Sequence, residues 1–222
     1  GASFVASHRD FTTWKAKVGG ETVLVMSTGM GGPCVTFAVE ELARLGVKTF
    51  IRVGTTGSIQ EDLNLGDLVI NRGAVRQDGA SKAYAPPEYP AMADMRVTLA
   101  LEEAARSLHV PFKTGISVST DSFWPGQERY DSFSGYVRRS LQGSLTEYRH
   151  LGCTNFEMEN ATLFTLCSVM GLSAGSVCGV VAKRLDSEAV APHEVYEEAE
   201  KRFRQVAKRA LTMLIGHFMV TL

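Results

Sequence analysis

Two carboxylates two residues apart, Glu157 and Glu159 in the run Asn155-Phe156-Glu157-Met158-Glu159-Asn160, are the best-placed pair in this chain for joint chemistry. In an extended segment, positions i and i+2 face the same way, so both acids would project together at a strand's end. The stretch that follows, Ala161 to Ala182, carries no charge, so the pair borders apolar core. A carboxylate there needs a partner, because burying it bare is costly or forces a proton onto it. Sugar hydroxyls would serve. Water at the end of a surface strand would serve too, and the hexapeptide alone leaves both readings open.

Arg52 runs into Gly54-Thr55-Thr56-Gly57-Ser58, which reads as a strand end followed by a glycine-rich turn. One guanidinium, the hydroxyls of Thr55 and Thr56 and the amides around Gly57 make an oxyanion cradle, since arginine matches phosphate bidentately. A third cluster, Asp121-Ser122-Phe123-Trp124-Pro125-Gly126-Gln127-Glu128-Arg129, mixes aromatics, a turn, an amide and a guanidinium. Phe123 or Trp124 offers a face for a planar heterocycle, while Gln127 and Arg129 offer donors and an acceptor at its edge. An ordinary Trp-Pro-Gly turn is the plainer alternative. The earlier turn Gly29-Met30-Gly31-Gly32-Pro33 fails the dinucleotide pattern, because Cys34 stands where G-x-G-x-x-G needs its last glycine. It reads as a tight turn into a helix begun by Pro33, with backbone N–H groups that an anion could meet.

An anion site, a sugar-binding acid pair and a reader of a planar base edge together describe a nucleoside plus phosphate. The matching reaction is displacement of the base at the anomeric carbon by phosphate, which needs no Ser, Cys or His nucleophile. It needs an anion beside an oxocarbenium-like centre and donors for the departing base, each such donor contributing roughly 3–4 kcal/mol.

The elements that must hold these groups alternate. Thr22–Ser27 is a strand, and Val35, Ala38, Leu42 and Leu45 form a helical stripe closed by Gly46. Lys48–Val53 is a second strand, so this stretch reads as a βαβ unit with parallel pairing. Leu68–Asn71 and Thr114–Ser119 read as further strands and Arg96–Leu108 as a helix. The uncharged stretch 161–182 is long enough for a membrane span, but Gly171-Leu172-Ser173-Ala174-Gly175-Ser176 breaks it into a buried helix, a turn and a buried strand over 176–182. The last helix, about 193–216, packs the stripe Val195, Ala199, Phe203, Val206 and Ala210 and pairs Glu197–Lys201, Glu198–Arg202 and Glu200–Arg204 on its outer face. With no repeat or linker-like stretch, residues 1–222 read as one domain.

Composition closes off other classes. The chain has 222 residues, 45% hydrophobic and 21% charged, with a formal net charge of −1. A near-neutral chain without a basic run is no nucleic-acid binder. Cys34, Cys153, Cys167 and Cys178 are widely separated and read as buried reduced thiols of a cytoplasmic protein, and the histidines show no ligand spacing, so no metal is expected. No secretory signal opens the chain.

Taken in order, Gly29-Met-Gly-Gly-Pro33, Arg52-Val-Gly-Thr-Thr-Gly57, Phe123-Trp-Pro-Gly-Gln-Glu-Arg129 and Asn155-Phe-Glu-Met-Glu159 resemble the uridine phosphorylases of the nucleoside phosphorylase-I superfamily, from about Ala6 to Arg184. The resemblance implies a three-layer α/β/α sandwich around a mixed, partly barrel-like sheet, and reversible phosphorolysis of uridine, with phosphate as co-substrate and no cofactor. It implies that Arg52 and Thr55, in the turn with Thr56 and Gly57, hold phosphate. Arg9 would reach the phosphate of a neighbouring subunit, making the active unit a homodimer at least, with a hexamer open. Gln127 and Arg129 would bind the uracil edge, with Phe123 and Phe156 lining the base pocket. Glu159, with Met158, would bind the ribose hydroxyls, Glu157 either joining them or only supporting Glu159, and Arg184 would be a cation near the leaving base.

The chain also departs from that pattern. The family's amino-terminal strand and Gly-Asp-Pro phosphate loop have no counterpart, which leads to the expectation of a segment upstream of residue 1. The family's early histidine is missing as well, His8 lying elsewhere. Asp10 and Cys34 replace the glutamate and serine that bind a monovalent cation at some family interfaces, which speaks against that ion. Rival readings are a purine nucleoside phosphorylase or a nucleosidase of the same superfamily, and a non-catalytic nucleoside-binding protein. Purine departure wants an acid after strand 176–182, where this chain has Lys183-Arg184 and then Asp186.

Overall fold

The structure, a computed structural model, describes residues 1–218. It opens with an antiparallel meander of β1 (Ser3–His8), β2 (Phe11–Val18) and β3 (Glu21–Ser27). Arg9 and Gly19 take positive φ at its two hairpin turns. Then follow α1 (Gly32–Arg44), β4 (Thr49–Ser58), β5 (Leu68–Gln77), β6 (Ala91–Met92), α2 (Met95–Ser107), β7 (Phe112–Thr120), α3 (Ser144–His150), β8 (Asn155–Glu157), α4 (Asn160–Val169), β9 (Ser173–Lys183) and α5 (His193–Phe218).

The second sheet runs β6-β5-β7-β8-β4-β9, and β5 also pairs with β9. Five strands therefore close into a mixed ring, with parallel β4–β9, β5–β7 and β7–β8 pairs and antiparallel β4–β8 and β5–β9 pairs. β9 is buried along nearly its whole length, hence its continuous apolar run. On one side α2 and α5 pack Val97, Leu101, Phe203 and Val206 against Leu68, Ile70 and Val177. On the other, α1 and α4 pack Val35, Val39, Phe164 and Leu166 against Ala174. This is the layered α/β/α arrangement around a barrel-like sheet that the family resemblance implies.

Three local expectations are corrected. The strands either side of α1 form no parallel pair: β3 is held by its hairpin neighbour β2, while β4 takes β9 as its parallel partner. Nor is Gly54–Ser58 a turn, since β4 runs through it to Ser58, with a register shift against β9 at Thr56/Gly57. Glycines inside a strand mark such bulges and close approaches. On α5, Glu197 reaches His193 and Lys201 turns to Glu198, while the Glu198–Arg202 and Glu200–Arg204 pairs form as expected.

Candidate active site

A cavity of about 870 Å³ lies between β3, α1 and β4 and reaches the ends of β8 and β9. Arg52, Thr55, Thr56, Gly57, Phe123, Gln127, Arg129, Phe156, Glu157, Met158 and Glu159 all line it. The motifs that sequence reading singled out separately thus meet at one place.

The two acids do not share a face. β8 ends at Glu157, and Glu159 already occupies the position before α4, where the backbone has left the strand (ψ −26°). Glu157 turns inward. One of its oxygens accepts hydrogen bonds from the hydroxyls of Ser117 and Ser119 on β7, and the other from the backbone N–H groups of Glu159 (2.8 Å) and Asn160 (2.7 Å). It thereby supplies the first turn of α4 with a cap that Glu159, at the cap position itself, does not provide. Glu159 instead crosses to the start of α1, where Oε1 accepts from the N–H of Gly31 at 2.6 Å, while Oε2 pairs with Arg52 Nη2. A helix N-terminus favours negative charge, so α1 helps to hold this carboxylate. The glycine-rich turn does present an N–H to an anion, and that anion is internal.

Arg52 is the hinge of the cluster. Its Nη2 lies 3.8 Å from Glu157, and its Nη1 donates to the Cys178 sulfur at 2.7 Å. Cys178 is therefore not in purely apolar surroundings. The guanidinium folds back over Gly54, where a Cβ would come within 3.1 Å of it. Burial works against the Arg52 cation, but Cys178, Glu159 and Glu157 more than offset this and raise its pKa. Burial also raises the pKa of Cys178, keeping it a thiol. Glu157 has its pKa raised by burial, against the pull of Arg52.

The hydroxyls expected to cradle an anion divide. Thr56 Oγ1 donates to the Phe156 carbonyl at 2.6 Å and accepts from Asn155 Nδ2 at 2.7 Å, so it ties β4 to β8. Thr55 makes no such side-chain bond among the described residues and lines the cavity. Gly57 serves a close approach: a Cβ there would meet the stem of Arg184 at 3.1 Å. Arg9 sits exposed at the β1–β2 turn and does not line the cavity.

At the far end, residues 125–127 form a short 3-10 turn followed by Glu128 in the left-handed region. Glu128 accepts from the N–H groups of Gly143 and Leu145, anchoring the turn to the start of α3. Gln127 and Arg129 are buried as a result. The Arg129 guanidinium lies 4.2 Å from the Phe123 ring centroid, and that of Arg184 lies 5.8 Å from Phe156. Arg184 Nη2 donates to the Gln127 carbonyl at 3.0 Å. Phe123 and Trp124 meet edge to face, with Trp124 half exposed. Sequence reading missed one member of this group, Glu188, which lies within ion-pair distance of both Arg129 and Arg184.

One cavity, on a closed mixed sheet between helices, thus brings together a carboxylate–arginine cluster and a ring-and-guanidinium cluster. A profile described as the phosphorylase superfamily matches residues 2–215, and the chain belongs to that superfamily. Among curated relatives it is 47% identical to the uridine phosphorylase of Escherichia coli (strain K12) over 211 residues, which is 95% of this chain and 83% of that protein. It is 46% identical to the uridine phosphorylase of Thermococcus kodakarensis over 95% of this chain and 73% of that protein. A guanosine phosphorylase of Halorubrum lacusprofundi is 33% identical over 96% of this chain and 85% of that protein.

Proposed function

We propose that this protein is a pentosyltransferase catalysing the reversible phosphorolysis of uridine to uracil and ribose 1-phosphate. The observation that carries this reading is the meeting of opposed charge at one cavity: two carboxylates beside Arg52 line it, and so does Arg129, which Arg184 and Glu188 back from outside the lining. As phosphate attacks the anomeric carbon, the glycosidic bond breaks and its electrons pass to the base. Positive charge then builds on the ribose and negative charge on the uracil. Glu159 has acceptor capacity beyond its bonds to Gly31 and Arg52, and so can take ribose hydroxyls. Arg52 and Thr55 hold the phosphate, with Met158 and Glu157 completing the sugar wall. Gln127 and Arg129 meet the pyrimidine edge between Phe123 and Phe156, and Arg184 adds a cation behind them. Pre-aimed donors of this kind act where charge develops.

The uridine phosphorylases among its relatives support the same substrate. So does the segment after β9: Asp186 is exposed and directed to Lys183 at 3.8 Å, and Glu188 offers acceptor oxygens to two guanidiniums, so neither is placed to protonate a purine ring nitrogen. We take the enzyme to be cytoplasmic and without a cofactor. We take it to work as a homodimer at least, with Arg9 reaching the phosphate of the neighbouring subunit. Comparing kcat/KM for uridine, inosine and guanosine, with and without phosphate, tests the reading. The expected result is a uridine preference with no turnover in the absence of phosphate. An inosine or guanosine preference overturns it, as does uridine binding without phosphate-dependent turnover.

A further inference from the structure

Arg129 and Arg184 are buried side by side, at 2% and 5% exposure, and each stacks on a ring of the cavity region. Two guanidiniums removed from water at close range repel, and burial together with Arg184 lowers the pKa of Arg129, while Glu188 opposes this. Among the described residues, Glu188 is the one carboxylate at ion-pair distance from either. Its Oε2 lies 2.9 Å from Arg129 Nη1 and 2.8 Å from Arg184 Nε, and its Oε1 accepts from Arg184 Nη2 at 3.1 Å. Its backbone carbonyl accepts from Arg129 Nη1 as well, at 2.8 Å. The Arg129 fork is therefore aimed by both the side chain and the main chain of a single residue. Arg129 Nε and both Nε and Nη1 of Arg184 are buried without a hydrogen-bond partner among the described residues, so Arg184 Nε meets Glu188 by charge rather than by a hydrogen bond.

Glu188 lies on the connection between β9 and α5, its side chain one-third exposed. The same connection brings Val190 into the cavity wall, and the Ala191 N–H bonds back to the Val181 carbonyl at 2.6 Å. One segment thus carries both a piece of the wall and the carboxylate that clamps the base-end arginines.

We propose that Glu188 is a positioning residue for the leaving base: by bridging Arg129 and Arg184 it fixes their donors toward the pyrimidine edge and leaves that end with one unit of net positive charge. This rests on the uridine reading above. Removing the carboxylate frees the arginines to separate, and a shift of about 1 Å in a group that positions the reaction is enough to lower rates by about 10²-fold. The effect falls on the base and spares the phosphate end.

The test compares wild type with Glu188→Ala and Glu188→Gln. The measurements are steady-state kinetics on uridine and on 5-fluorouridine, whose more acidic base leaves with less help, together with uracil affinity by calorimetry. For Glu188→Ala we expect kcat/KM on uridine to fall about 10- to 100-fold, with a smaller fall on 5-fluorouridine, weaker uracil binding and an unchanged KM for phosphate. Glu188→Gln keeps an acceptor oxygen and should recover part of the loss. Circular dichroism melts check that both variants fold; if the Ala variant does not, the Gln variant carries the comparison. Equal losses on the two nucleosides, a parallel rise in the phosphate KM, or no loss at all would overturn the role of Glu188. If wild-type enzyme neither turns over uridine nor binds uracil, the functional reading itself fails. If wild type does both and the variants match it, only the role of Glu188 fails.

Discussion

The two ends of the cavity are electrostatic opposites built from the same parts. At the sugar end one arginine faces two buried carboxylates, while at the base end two buried arginines share one part-exposed carboxylate. Carboxylates outnumber the arginine in one group, and arginines outnumber the carboxylate in the other. On the proposed assignment, a reaction that makes the ribose transiently positive and the base negative meets fixed groups of matching sign, which need no reorganisation as the bond breaks. The ends also differ in support. Glu157 and Glu159 are tied to strands and helix starts by backbone and serine donors, whereas the arginines depend on a connecting segment for their carboxylate.

That contrast can be broken most severely at Glu159. Glu159→Ala should lower kcat/KM by about 10³-fold, the upper range for loss of one transition-state contact, while circular dichroism shows an intact fold because Arg52 retains Glu157. Full turnover in this variant would dissolve the sugar end altogether. Arg129→Lys comes next: it preserves charge but removes the planar fork, so uridine kcat/KM should fall about 10²-fold with phosphate KM unchanged. Unaltered kinetics would mean that the base end works by charge alone. The smallest effect is on stability. Burial raises the Glu157 pKa above its unfolded value, so the native state holds that proton more tightly. This contribution is complete below the unfolded pKa and is lost as pH rises through the raised native one. Glu157→Gln has no such proton and lacks acceptors for two donors, at about 1–3 kcal/mol each. In urea titrations across a pH series, the stability of wild type minus variant should decline through that window; a flat difference would show that Arg52 cancels the burial of Glu157.

What could be read from the sequence, and what could not, follows from how local each signal is. Arg52, Gln127, Arg129 and the acid pair stand out because their types and spacing are improbable in plain core or plain loop. The helix and strand in 161–182 are betrayed by the Gly-Leu-Ser-Ala-Gly break. That Glu159 outranks Glu157 could be read from the family motif, but the inward turn of Glu157 was hidden, because the i,i+2 rule assumes that the strand continues and here it ends between them. The run Gly54–Ser58 looked like a turn because glycines suit turns; in fact they let the Arg52 and Arg184 side chains lie close against the strand. Glu188 carried only a weak local signal, its i,i+4 spacing from Arg184 on a connecting segment rather than a helix. Its partner Arg129 lies far back along the chain, and only the fold brings them together.

The ring of five strands closes where β5 meets β9, two segments from opposite halves of the sequence. The cavity borrows its walls from β4, β8 and the end of β9 together with α1, so no fragment short of the closed ring presents a complete binding surface. Occupancy by nucleoside and phosphate therefore reports on global folding. A ligand that recognises only the closed form raises the melting temperature in proportion to the logarithm of its concentration over its dissociation constant. Cells rich in substrate would thus hold a larger reserve of intact enzyme than starved ones, with no change in its synthesis.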